Sequence, residues 1–121
     1  MAIASSILIA LIALLHFYIA WFEMFAWESR GPKVVDSLPA SLFAPTKEMA
    51  ANQGLYNAFL AVGLVWSLLI RDPEWAKNVA LCFLGFVFVA GLYGAATVSS
   101  RIMVVQSGPA GLAILLTLLR S

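Results

Sequence analysis

A chain of 121 residues has room for one domain, and 63% hydrophobic against 11% charged residues lies far from the balance of a water-soluble one. A soluble fold of this size has too little interior to hide so much apolar surface, and the mean hydropathy of +0.96 agrees. The formal charge of +1 excludes a strongly basic nucleic-acid binder, and a lone cysteine, Cys82, excludes both a disulfide framework and a thiolate metal site. The expected class is therefore all-α: a polytopic membrane protein, an antiparallel four-transmembrane-helix bundle in a lipid bilayer. Cys82 sits in an apolar run and is read as a buried structural thiol.

The opening apolar run continues from Ile7 through Ala20 into Trp21, Phe22 and Phe25. A signal-peptide h-region is only about 7–15 residues long and follows a positive segment that is missing here. The run is read instead as a retained first span over 2–28, with Trp21 and Trp27 in the interfacial belt at its far end. At about 1.5 Å per residue such a helix crosses a hydrocarbon core of about 30 Å with some tilt. Residues 29–46 hold Gly31, Pro32, Pro39 and Pro45 and make the long connection, within which 37–43 is expected to form a short interfacial turn.

A second span covers 47–70. Arg71 and Asp72 then make a charged turn, with Pro73 placed where a helix begins. The third span, 74–98, ends at Ser99, Ser100 and Arg101. The last, 102–119, contains Pro109, which removes one backbone donor and kinks the helix after about two turns. Short connections make the last three spans antiparallel neighbours within one domain, 1–121, and no internal repeat is evident. With both termini on one side, that side carries Arg71, Lys77 and Arg120, and the other Arg30, Lys33, Lys47 and Arg101. The small excess leans toward a cytoplasmic long connection, although the positive-inside rule needs a larger bias to decide.

The polar residues that these spans must bury fall at about one depth, near the long connection. Glu23 precedes it in the first span, and Asn52, Gln53, Tyr56 and Asn57 follow it in the second as one polar stripe. Tyr93 and Thr97, one turn apart, approach the same depth from the third span, with Arg101 at the rim and Gln106 in the fourth. His16, Glu23 and Trp27 share a face of the first helix, with His16 and Glu23 about 10 Å apart along the axis. A charged side chain at membrane depth costs about 2.5–3.5 kcal/mol on insertion scales. Burial favours its neutral form unless a cation or several donors face it, which makes Glu23 a candidate proton-binding carboxyl.

Each feature has a plainer structural explanation. His16 can satisfy itself on a neighbouring helix, Glu23 can reach interfacial water, and Arg101 can be a snorkelling anchor rather than the partner of Glu23, Glu28 or an anion. The amides can be interhelical hydrogen-bond glue, at about 0.6 kcal/mol per contact. The small residues around Gly91 and Gly94 suit close helix packing. One histidine cannot build a multi-histidine metal site, so neither metal nor cofactor is expected.

His16-Phe17-Tyr18-Ile19 with Glu23-Met24 and Trp27, the run Ala51-Asn52-Gln53-Gly54-Leu55-Tyr56-Asn57, Gly91-Leu92-Tyr93-Gly94, and Gln106 before Pro109 together resemble a bacterial membrane family catalogued as domain of unknown function 1304. The likeness covers essentially the whole chain, and the Asn-Gln-Gly-Leu-Tyr-Asn run is its most specific part. It implies a small four-helix membrane protein, placed here in the bacterial inner membrane, and brings no assigned activity.

Two weaker analogies carry functions. Small multidrug-resistance exporters also have four short helices and an intramembrane glutamate in the first, which would let Glu23 exchange a proton for a lipophilic cation beside Trp27 and Tyr56. The sequence departs from them in His16, the proline-bearing connection and the amide stripe. The membrane-associated eicosanoid and glutathione metabolism family has comparable positions at Asn52, Asn57, Tyr93 and Arg101, but its basic residues for a thiol cofactor are scarce here.

The expected function is a polar intramembrane pocket that binds a small amphiphilic molecule, transport-like and proton-coupled, with a membrane enzyme and a structural or accessory subunit as the alternatives. The candidate ligand-binding set is His16, Glu23, Trp27, Asn52, Gln53, Tyr56, Asn57, Tyr93, Thr97, Arg101 and Gln106. Partners are expected to be the bilayer, such a ligand and further copies of the chain as a dimer or trimer, with no nucleic acid.

Overall fold

The computed structural model describes residues 2–120, and all regular structure among them is helical. Helix α1 (Ala2–Phe25) bends at Ala26 into the short α2 (Trp27–Val34), and a single 3-10 turn, Ala40–Leu42, leads to α3 (Lys47–Leu69). Helix α4 (Pro73–Thr97) follows, and a π-helical segment, Met103–Ser107, runs into α5 (Gly108–Leu118). Two of these, α1 and α4, are long and apolar enough to cross a membrane.

Local chemistry accounts for the boundaries. Asp72 caps α4 by accepting from the Glu74 backbone N–H at 3.1 Å, with Pro73 in the first turn, where its missing donor costs nothing. Pro109 has no N–H for the carbonyl one turn back, and its ring crowds that carbonyl. The chain accommodates this with the π-helical widening at Met103–Ser107 directly before α5. The proline kink read from the sequence therefore takes the form of a wider turn.

Helix α1 packs on α3, α3 on α4, α4 on α5, and α5 back on α1. The apolar centre is Ile9, Ile12, Ala13, Leu64, Ala80, Leu84, Val87, Ala110 and Ala113. These residues lie in the half of the molecule that holds the start of α1, the α3–α4 turn and the end of α5. Gly63 lets α3 lie directly against the Phe83 ring of α4, where any Cβ would collide with it.

The long connection differs from its expected form. Helix continues through Gly31 and Pro32 to Val34, because the bare Gly31 backbone seats the ring of Phe43, which is fully buried. Trp27 packs between Phe22 and Phe43, with ring centroids 5.8 and 5.0 Å away. Its indole N–H donates to Thr46 Oγ1 at 2.9 Å. The expected interfacial turn at 37–43 is thus a folded cap whose Phe43 points inward. Arg30 lies over the Trp21 ring at 5.8 Å. Cys82 is exposed, contrary to the buried thiol expected. An apolar run does not distinguish the inner face of a helix from an outer one that is equally apolar.

Candidate functional site

At the end under the cap the helices diverge around an open cavity of about 650 Å³, within the size range of small-molecule sites, about 300–1,000 Å³. Glycines set the helix contacts on either side of it. Gly54 brings α3 onto α1, where a Cβ would come within 2.7 Å of Met24 and 2.9 Å of the Ala20 carbonyl. Gly91 brings α4 onto the π-helical segment, where a Cβ would lie 2.8 Å from the Ser107 amide nitrogen, and Gly94 packs on Ile102. At the capped end α3 thus packs on α1 and α4 on the π-helical segment, whereas Gly63 and Phe83 hold α3 to α4 nearer the other end. The gap between them is edged by Tyr56, 60% exposed, and Tyr93, 72% exposed.

Helix α1 supplies Ile19 and Glu23 to the cavity, and α2 supplies Trp27. Helix α3 contributes Gln53, Tyr56, Asn57 and Leu60, and α4 contributes Ala90, Tyr93, Gly94 and Thr97. The segment after α4 adds Arg101, Val105 and Gln106. Residues Val34, Val35, Asp36 and Ser37 close one side from the cap. Glu23 is half-buried, and its Oε1 accepts from Asn57 Nδ2 at 2.7 Å. The same amide nitrogen donates to the Gln53 carbonyl at 3.2 Å, which fixes the amide toward Glu23. This contact joins α1 to α3 beside Gly54.

His16 and Asn52 lie elsewhere. His16 is buried behind the lining, its Nδ1 2.9 Å from the Ile12 carbonyl and its Nε2 3.2 Å from Gln106 Nε2. With Nδ1 donating to the carbonyl, Nε2 accepts from the Gln106 amide. Both ring nitrogens are used internally, so His16 is a post that orients Gln106 and holds α1 to the π-helical segment. Asn52 turns outward and donates to the Glu48 carbonyl at 3.0 Å. The stripe therefore divides, because Asn52 lies a full helical face away from Asn57.

Arg101 pairs neither Glu23 nor Glu28. Its Nη2 lies 3.8 Å from Asp36 Oδ2 across the rim, while Glu28 pairs Lys47 at 3.4 Å. The Thr97 hydroxyl donates back to the Tyr93 carbonyl at 2.7 Å, so it offers the cavity its methyl group and an acceptor. Among the described residues, no three of His, Cys, Asp or Glu converge as a metal ion would require.

Some lining residues were absent from the sequence-derived set. Leu60 and Ala90 are one helical turn from Tyr56 and Gly94, so extending the 3.6-residue period of the polar positions would have found them. The cap residues from Val34 to Ser37 have no periodicity and carried no such signal.

A family model described as "Protein of unknown function (DUF1304)" matches residues 10–118. The chain belongs to the DUF1304 family. The match takes in every residue that lines the cavity. The chain is also similar to "Uncharacterized protein YpaA" of Lactococcus lactis subsp. lactis (strain IL1403), with 28% identity over 117 residues, 95% of this chain and 97% of the relative. No solved structure matches the chain.

Proposed function

We propose that this DUF1304 protein spans the bacterial inner membrane four times and binds a small amphiphilic molecule in the cavity beneath its cap, with Glu23 as the carboxyl that exchanges a proton on binding. Support for four spans comes from the outer faces. Leu55, Phe59, Val62, Trp66 and Leu69 form an exposed apolar stripe along α3, and Leu112, Leu115 and Leu118 form another on α5. Such stripes suit hydrocarbon on helices whose opposite faces are already packed.

The observation that carries the binding reading is a half-buried carboxylate fastened by one amide inside an otherwise largely apolar cavity. Few polar groups converging in a mainly apolar hollow is the common composition of small-molecule sites. The gap between Tyr56 and Tyr93 would admit a molecule from the surrounding lipid. A thiol-transfer enzyme is less well supported: among the described residues Arg101 is the sole basic one in the lining, and Asp36 already engages it.

Purified protein in non-ionic detergent, screened with single-chain and aromatic amphiphiles, tests the proposal. A ligand at about 100 times its Kd adds about 2.7 kcal/mol of stability, read as a rise of several degrees in melting temperature. Ala90→Trp, which fills the cavity from α4, should abolish the rise without lowering the unliganded melting temperature. In weak buffer, binding should release a proton that Glu23→Gln does not release. If no amphiphile shifts the melting temperature, or if Ala90→Trp responds like the natural chain, the cavity is not a binding site.

A further inference from the structure

Once Glu23 gives up its proton, the charges around the cavity do not balance, and the imbalance sits at Glu23 rather than at the rim. The titratable and charged groups that share the cavity with Glu23 are Asp36 from the cap, Tyr56 from α3, Tyr93 from α4 and Arg101 from the segment after α4. On α1 itself, His16 is engaged through Gln106 and does not line the cavity. Asp36 and Arg101 pair with each other at 3.8 Å, and both side chains are mostly exposed at the rim. Among the described residues, Glu23 is left as the acidic group with no cation opposite it. Its Oε1 is held by Asn57, and its Oε2 has no hydrogen-bond partner among the described residues.

We propose that the cavity's ligand is an amphiphilic organic cation, its positive centre against Glu23 Oε2 and its apolar body along Ile19, Leu60 and the ring faces of Trp27 and Tyr56. The proposal rests on the binding reading above and names the ligand's chemical class. A carboxylate that receives one amide hydrogen bond in an apolar hollow is poorly compensated, and a mobile cation supplies what the fixed residues lack. The indole N–H of Trp27 is already given to Thr46, so that residue offers the ligand aromatic surface rather than a donor. Aromatic faces favour a cation and repel an anion. An anionic amphiphile fits the same space badly. Its head would compete with Asp36 for Arg101 at the rim, and its tail would then lie against Glu23.

A matched pair of probes isolates the sign of the charge: tetraphenylphosphonium and tetraphenylborate have nearly the same shape and opposite charge. Binding of each to the full chain in non-ionic detergent, followed by calorimetry, should favour the phosphonium by about tenfold or more in Kd. Glu23→Gln keeps an acceptor for Asn57 and should bring the two probes within about threefold of each other. Glu23→Asp, with its charge retained, should keep the preference for the phosphonium, which separates a charge effect from a folding defect. Equal binding of the two probes, tighter binding of the borate, or a preference that survives in Glu23→Gln overturns the cation assignment. If both probes bind equally and Ala90→Trp abolishes both, the cavity reading stands while the charge assignment falls. If neither binds, and no amphiphile shifts the melting temperature, both fall together.

Discussion

The two ends of this molecule are made from the same helices and packed by different rules. At the end holding the α3–α4 turn, alanines alternate with Ile9, Leu64, Leu84 and Val87, and these side chains are fully buried. At the capped end, Gly54, Gly91 and Gly94 pull the helices together in different pairs, and a space opens between those pairs. Small residues therefore have opposite consequences in the two halves. Where every helix meets its neighbour on a small residue the core shuts, and where contacts are drawn to opposite sides the centre is left open. The closed half holds the fold so that the open half can carry poorly compensated polar groups such as Glu23.

Substitutions in the two halves should separate stability from binding, and the largest effect is expected in the closed one. Leu84→Ala removes a fully buried side chain from the apolar centre and should lower unfolding stability in detergent by about 2–4 kcal/mol. Tyr56→Ala at the mouth of the cavity should cost less than about 1 kcal/mol while weakening amphiphile binding. Equal losses at the two positions would mean that the open half also carries the fold.

The contrast between glycines comes next. Gly91→Ala places a methyl group against the Ser107 backbone and should destabilise by about 1–3 kcal/mol. Gly85→Ala on the same helix meets nothing within 4 Å and should be neutral or stabilising by up to about 1 kcal/mol. If thermal unfolding ranks the pair the other way, the close approach at Gly91 is not what shapes the cavity.

The smallest effect is expected at the rim. Asp36 and Arg101 are largely exposed, so Asp36→Asn should change stability by less than about 1 kcal/mol, with even that difference falling as salt is raised. A large loss that salt does not affect would make the pair a structural clasp rather than a surface contact.

Much of the fold was legible in the sequence because helix ends and apolar runs are local. The helix start at Pro73 and the break around Ser99 follow from residues within one turn of each boundary. That Glu23, Gln53, Asn57, Thr97 and Gln106 come to one end of the helices, where they line a common cavity, was legible as well, since distance along a helix is a simple function of residue number. Their direction was less so. Asn52 and Asn57 looked equivalent by composition and spacing, yet one faces outward to the Glu48 carbonyl and the other inward to Glu23. On a helix that is apolar on most sides, no amphipathic pattern marks the inner face. For the same reason Cys82 was expected inside and lies outside.

Local sequence was enough for an all-α chain, two of whose helices are apolar and long enough to cross a membrane, and for most of the polar residues that line the cavity. The resemblance carried by its motifs also led to the correct family. Only the tertiary structure decided that His16 closes on Gln106, that Arg101 turns to Asp36, and that the proline-bearing connection folds inward on Phe43 as one wall of a cavity. These choices depend on which helix lies opposite which. Contacts between residues such as His16 and Gln106, far apart in the chain, are set by how glycine-lined surfaces fit together, and local propensity contains no information about that fit.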